Sequence, residues 1–500
     1  MKRIKKLLTS RMIATVINIL IQFAVILLLV MYFDGVFLYY YSTCFVISVF
    51  LCVYVINKRM NSGYKIAWIL LIMAFPMFGV TLFVMLDGGL STKLIKKKML
   101  SITDRIKDEL TDEELLEIDD SYAKRQSEYI KRFAFSPPVK NTKSKYLSSG
   151  EDFFASLLND LKSAEKSIFF EYFIIKESFM WNEIKKILIE KAKTGVDVRI
   201  IYDDFGSIDR ISKKELKSLT KSNIKVKKFN PFVPVLSLVL NYRDHRKICT
   251  IDTKIAYCGG VNIADEYINK EKRFGYWKDS GIALYGEGAF SFEVFFLTLW
   301  EYITNERQVI VKPEYELCDN GIFQPYTDSP IDDENVGANI YSNIISQAQR
   351  YVYISTPYFV VDDEMLRAIT NAAKSGVEIK IVVPRVPDKK TVNQATKSYY
   401  LSLINAGVQV YEYERGFNHS KLVISDDKIA TVGSVNFDFR SFYLSFECGV
   451  WMYNTDAIKD ILADYNSLIG NSIKITAEDC KVPFPVRIFR AIIATFAPLF

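Results

Sequence analysis

Histidine is almost missing from this chain: its 500 residues hold two, His245 and His419. Cysteine pairing is missing too. The seven cysteines are odd in number and none stands in a Cys-x-x-Cys arrangement, which argues for scattered reduced thiols over a disulfide framework. With both histidines committed to one motif, no clustered ligand set for zinc remains. A basic footprint is lacking where a nucleic-acid reading needs it. Twelve of the 64 Lys and Arg lie within residues 1–100, against only Asp34 and Asp87 there. The net charge of +6 therefore belongs to that region, and residues 101–500 are slightly acidic. Nucleic acid is thereby disfavoured as a partner.

Charge is absent from three apolar stretches near the start. Residues 12–33 and 37–56 are uncharged and long enough to span a bilayer. Residues 67–86 form a third stretch, interrupted by Pro76 and Gly79. The positive-inside rule places both ends of the first hairpin in the cytoplasm. The third stretch has lysines on both flanks, so it either spans or re-enters at Pro76. The expectation is a membrane region over 1–90, preceding the folded part with transmembrane helices. It makes the chain a multi-pass cell-membrane protein with its catalytic domain at the cytoplasmic face. Residues 91–135 read as a charged helical spacer, ended by Pro137-Pro138. Residues 483–500 read as an amphipathic helix, either lying in a headgroup plane or docked on the core.

Between these ends the chain repeats itself. Lys193-Thr-Gly-Val-Asp-Val-Arg-Ile-Ile resembles Lys374-Ser-Gly-Val-Glu-Ile-Lys-Ile-Val, and Gly259-Gly-Val-Asn262 resembles Gly433-Ser-Val-Asn436. Both histidines open one pattern, His-x-Lys followed by four residues and Asp: His245, Lys247, Asp252 and His419, Lys421, Asp426. Each Asn follows its His by 17 residues. Strands alternate with helices stopped near Gly195 and Gly376, which predicts an α/β layered fold in each half. The expected units are repeats over 136–312 and 336–482, joined by a linker over 313–335. Each is a sheet flanked by helices, and together they form a pseudo-twofold unit with the motifs meeting at the shared interface.

His, Lys and Asn around one point make a phosphate site. Lys247 and Lys421 supply cationic donors, Asn262 and Asn436 neutral ones, and the turns at Gly260 and Ser434 let the backbone approach. One neutral histidine can attack phosphorus while the other, protonated, serves the leaving alkoxide. The lysines hold the charge, so no metal or other cofactor is expected. Asp252 and Asp426 close the motif. They are candidates for the catalytic set, although a structural role at a strand end is the stronger reading. Asp279 and Glu447 lie in matching places downstream, and each is expected to accept a hydrogen bond from the far nitrogen of a histidine. The apolar run 231–240 reads as a buried strand or as a loop at the mouth of the site.

These paired motifs and their Gly-x-x-Asn turns resemble the phospholipase D superfamily. The wider chain is similar to bacterial cardiolipin synthases, through Asn241-Tyr-Arg-Asp-His-Arg-Lys, Gly259-Gly-Val-Asn-Ile-Ala-Asp-Glu-Tyr, Tyr276-Trp-Lys-Asp and Asn436-Phe-Asp-Phe-Arg-Ser. The resemblance implies transfer of a phosphatidyl group between two phosphatidylglycerol molecules, giving cardiolipin and glycerol. It implies membrane phospholipids as partners, and His245 as the nucleophile. The chain departs from the family at Gly281, where a His is frequent, and at Ser445, where an Asn is. A related phosphatidyltransferase or a hydrolytic phospholipase D would share these residues. A non-catalytic membrane scaffold is a third reading, opposed by two intact motifs.

Overall fold

A computed structural model describes residues 37–58, 60–86, 89–110, 116–231 and 242–499 apart from 317, 319 and 333, with isolated helical positions at Leu20, Ala24, Leu27 and Leu28. The expected span over 12–33 lies outside the described residues save for those four. So does 232–241, nearly all of the apolar run before the first motif.

Among the described residues no helix is long and apolar enough to cross a membrane. This corrects the expected transmembrane helices, and with them the multi-pass placement at a cell membrane and the cytoplasmic-face assignment. The physical reason is plainest in the third stretch. Pro76 disfavours a helical conformation at the residue before it, and Phe75 breaks the chain into helices Ser62–Ala74 and Pro76–Leu86. At 1.5 Å per residue these reach only about 20 and 17 Å, against a hydrocarbon core of about 30 Å. The second folds back on the first, so closely that a Cβ on Gly79 would come 2.6 Å from the Ile72 Cα. Helix Phe37–Asn57 packs on both, burying Cys52 and Val55 with Trp68, Ile72 and Phe83.

The charged region that follows forms helices Gly89–Leu110 and Ser121–Phe133. Each turns one face inward. Ile102 and Ile106 pack with Phe290 and Val294. Ala123 and Ile130 join the core of the second half.

Each half then builds one sheet. In the first, strands run in the order Thr142–Leu147, Gly281–Gly286, Ile255–Gly259, Lys247–Ile251, Ser167–Tyr172, Asp197–Asp203, Lys225–Phe229. The second repeats this order with Ile322–Asp328, Ser445–Tyr453, Ile429–Gly433, Leu422–Ser425, Tyr351–Ser355, Glu378–Pro384, Gln409–Tyr413, and adds Ser472–Lys474. The parallel pairs are bridged by helices whose apolar residues recur every three or four positions. In Phe179–Lys193 the buried ones include Met180, Trp181, Ile184, Ile187 and Leu188, a stripe that fixes one face inward. Gly195 and Gly376 follow two such helices at φ of +96° and +97°, the left-handed region where glycine costs least.

The two sheets face one another across a common core. Ile248, Cys258 and Ile282 of one meet Leu422, Val432, Cys448 and Val450 of the other, all at most 1% exposed. Each such aliphatic side chain contributes about 1.5–3 kcal/mol on burial, so the halves form one unit.

Two short exchanges stitch the halves. Arg243–Asp244 of the first pairs in parallel with Ser445–Phe446 of the second. Reciprocally, Gly416–Asn418 of the second pairs in parallel with Tyr276–Lys278 of the first.

Candidate active site

Those exchanges end one residue before each histidine. The His245 N–H donates to the Phe446 carbonyl at 2.9 Å, and the His419 N–H to the Lys278 carbonyl at 2.7 Å. The next residue on each partner strand is an acid. Glu447 therefore lies against His245, its carboxylate oxygens 2.9 and 3.0 Å from Nδ1. Asp279 lies against His419, with Oδ2 2.7 Å from Nδ1. Each dyad takes its histidine from one half and its acid from the other. A carboxylate on Nδ1 fixes the proton there and leaves Nε2 for chemistry.

The lysines follow by strand alternation. Lys247 and Lys421 are buried, and each Nζ donates to the carbonyl of its own motif's histidine. Burial lowers Lys247 to about 8 and Lys421 to about 7, the latter pushed further by Lys247. Burial also lowers both histidines, helped by the lysines: His245 well below its usual value and His419 to about 4. The acids diverge. Burial lifts Glu447 to about 7 despite Lys247. Burial alone would raise Asp279 too, but His419 and Lys421 overcome it and hold it below the usual carboxylate value. Two buried lysines that depress each histidine and gain from a further negative charge make the site receptive to an anion.

The remaining sequence candidates divide. Ser434 supports the first dyad by donating from Oγ to Glu447 and accepting from the Cys448 N–H at 3.0 Å. Gly260 makes room for the second, since a Cβ there would come 2.1 Å from Asp279 Oδ1. Asn262 is a clasp: Oδ1 accepts from the Ile174 N–H at 3.1 Å and Nδ2 donates to the Tyr267 hydroxyl at 2.8 Å. Asn436 is buried with its Oδ1 unpartnered by protein.

Asp252 and Asp426 are not in the site. They sit at the far end of the strands that begin beside the histidines, about 16 Å from the lysines at about 3.3 Å per residue. Asp252 accepts from the Glu165, Lys166 and Ser167 N–H groups at 2.7–2.8 Å. Asp426 accepts from Gln349, Arg350 and Tyr351 at 2.8–2.9 Å. Both occupy left-handed turn positions, φ +54° and +56°. These positions agree with the strand-end role rather than a place beside the lysines: a motif that is compact in sequence is stretched by the strand it encodes.

Aromatic rings line the site, and sequence reasoning gave them no role. Trp277, Tyr267 and Phe417 surround His419 with ring centroids 5.4, 5.5 and 5.7 Å away. Phe173 meets His245 edge-on at 5.2 Å. Their signal was position: Trp277 and Phe417 lie on the exchanged strands, and Phe173 directly follows the strand Ser167–Tyr172. Gly281, where the family often carries His, faces Phe153, whose ring would lie 2.6 Å from an added Cβ.

Two sheet-and-helix repeats that pool their His-x-Lys motifs into one site define a two-repeat phospholipase D-like enzyme. A family model described as "Cardiolipin synthase, PLD-like domain" matches residues 157–274 and 341–469. "Cardiolipin synthase 2" of Bacillus cereus is 34% identical over 444 residues, 86% of each chain. "Cardiolipin synthase" of Geobacillus sp. is 33% identical over 482 residues, 94% of this chain and 95% of its own. An uncharacterised Streptococcus mutans protein is 39% identical over 89% of this chain and 98% of its own. In fold, the chain is similar to phosphatidylserine synthase of Haemophilus influenzae, with a TM-score of 0.53 and 14% identity over 75% of this chain and 98% of that one. The chain belongs to the cardiolipin synthase family of phospholipase D-like enzymes, and it is a phosphatidyltransferase.

Proposed function

We propose that the enzyme moves a phosphatidyl group from one phosphatidylglycerol to the hydroxyl of a second, releasing glycerol and forming cardiolipin through a phosphohistidine. The observation that carries this is the pair of crossed dyads around two buried lysines.

The donor's phosphodiester sits between Lys247 and Lys421, whose cations bind its non-bridging oxygens, with the amide of Asn436 beside them. The bound anion cancels the field that holds the histidines neutral. Ionised Asp279 then makes His419 the one that takes up a proton. His245 is the more exposed of the two, at 16% of its side chain against 9%, and its Nε2 attacks phosphorus. His419 protonates the departing glycerol oxygen. In the second half-reaction His419 removes the proton from the incoming glycerol hydroxyl, whose oxygen displaces His245 from phosphorus. One phosphodiester replaces another, so no energy source is consumed.

An apolar surface beside the site suits a lipid substrate. Helices Ser62–Ala74 and Phe484–Phe496 pack together next to Phe439, three residues past Asn436. The C-terminal helix docks through Ile493 and through Arg490, whose Nε donates to Gln394 Oε1 at 2.9 Å. Its Phe484, Ile488, Phe489 and Ile492 stay exposed, as do Ile66, Leu70 and Phe75 nearby.

The test is purified full-length protein given labelled phosphatidylglycerol alone. Cardiolipin and free glycerol in equal amounts are expected. Phosphatidic acid as the main product would make the enzyme a hydrolase and sink this reading.

A further inference from the structure

Cys258 and Cys448 meet at the centre of the shared core. Their Sγ atoms are 3.6 Å apart, both side chains are buried, and both thiols are free. Cys258 belongs to the sheet of the first half and Cys448 to that of the second. The pseudo-twofold generates a mate to this contact. Val432 stands where Cys258 does in the other motif, and Ser280 where Cys448 does. The fold thus offers this facing position twice, and the chain places two sulfurs in one of them.

Both cysteines adjoin the dyads. Cys448 directly follows Glu447, and its backbone N–H donates to the same Ser434 hydroxyl that donates to Glu447. Cys258 is two residues before Gly260, which packs on Asp279. A disulfide requires the sulfurs at about 2.05 Å, so closing the pair brings them about 1.5 Å nearer, through side-chain rotation and movement of the two strands beside the residues that hold both acids.

We infer that Cys258 and Cys448 form an oxidisable dithiol whose disulfide slows the transfer reaction by shifting the acids behind the histidines. A hydroperoxide is the oxidant. One thiol attacks the peroxide oxygen, giving a sulfenic acid and releasing an alcohol, or water from hydrogen peroxide itself. The second thiol attacks that sulfur, the S–S bond forms, and the hydroxyl leaves as water with the second thiol's proton. Two electrons and two protons pass from the thiols to the peroxide. A displacement of about 1 Å in reacting geometry costs about 10²-fold, so a loss of tenfold or more is expected.

The experiment treats the active full-length enzyme with hydrogen peroxide and follows turnover together with peptide mapping. A Cys258–Cys448 cross-link, loss of two hydrogens in the intact mass, and recovery of rate with dithiothreitol are expected. Cys258→Val and Cys448→Ser borrow the residues of the matching positions, so each is expected to stay active and become insensitive. Failure of the cross-link to form in wild type under inactivating peroxide overturns the inference. So does a cross-linked enzyme with unchanged rate, or undiminished peroxide inactivation of either active variant. Absence of any transfer activity from phosphatidylglycerol is a different result, because cross-linking is read independently of turnover.

Discussion

At the scale of the residue, two chemically identical side chains are given different work by their neighbours. His245 and His419 share a motif, and both are held neutral by burial and the lysines. The acids behind them differ: Asp279 is kept ionised, while Glu447 is lifted to about 7. That difference biases the proton toward His419. It is tested with a phosphatidyl ester of p-nitrophenol, whose leaving group needs no acid. His419→Asn is expected to release one nitrophenolate per enzyme and stall as a covalent lipid adduct on His245. His245→Asn should give no burst. A burst from His245→Asn would reverse the roles.

At the scale of the element, the motif's aspartate does its work at the opposite end of the strand from its histidine. Asp252 and Asp426 each gather three backbone N–H groups where a neighbouring strand begins. Hydrogen bonds to a charged acceptor contribute about 1.5–3 kcal/mol each and do not add in full. Asp252→Ala or Asp426→Ala should therefore cost about 2–4 kcal/mol, and the unstrained left-handed turn is lost as well. The expected signature is a lower denaturation midpoint with kcat of the folded fraction nearly unchanged. A large fall in kcat with stability intact would return them to the site. This distinction was only half legible in the sequence. A His-x-Lys-x₄-Asp string looks like one constellation, and only the β-spacing of the intervening residues separates its ends.

At the scale of the whole molecule, neither half owns a complete dyad. A chain with two histidines makes this directly visible, because histidine-selective nitrogen labelling gives two ring systems to follow. Wild-type His419 should titrate near 4, and His245 well below the usual histidine value. Asp279→Asn removes a carboxylate that stabilises the imidazolium, so it should lower the His419 midpoint further and leave His245 in place. Glu447→Gln should act on His245 alone. Effects in the uncrossed sense would refute the pairing.

The sequence by itself determined the two motifs, their 17-residue register to Asn262 and Asn436, the duplicated α/β order and the family. All of these are written in local spacing, because strand and helix periods act over a few residues. It expected spanning helices that the described residues do not show, and it left 67–86 open between a span and a re-entrant bend at Pro76, where the chain forms a helical hairpin. It marked Asp279 and Glu447 as partners without saying whose. That was decided by the exchanged strands Arg243–Asp244 and Gly416–Asn418, which bring His245 to an acid 202 residues away and His419 to one 140 away. Backbone hydrogen bonds between the halves carry no side-chain pattern, so the crossing of the dyads, like the meeting of Cys258 with Cys448, exists only once the two sheets have packed.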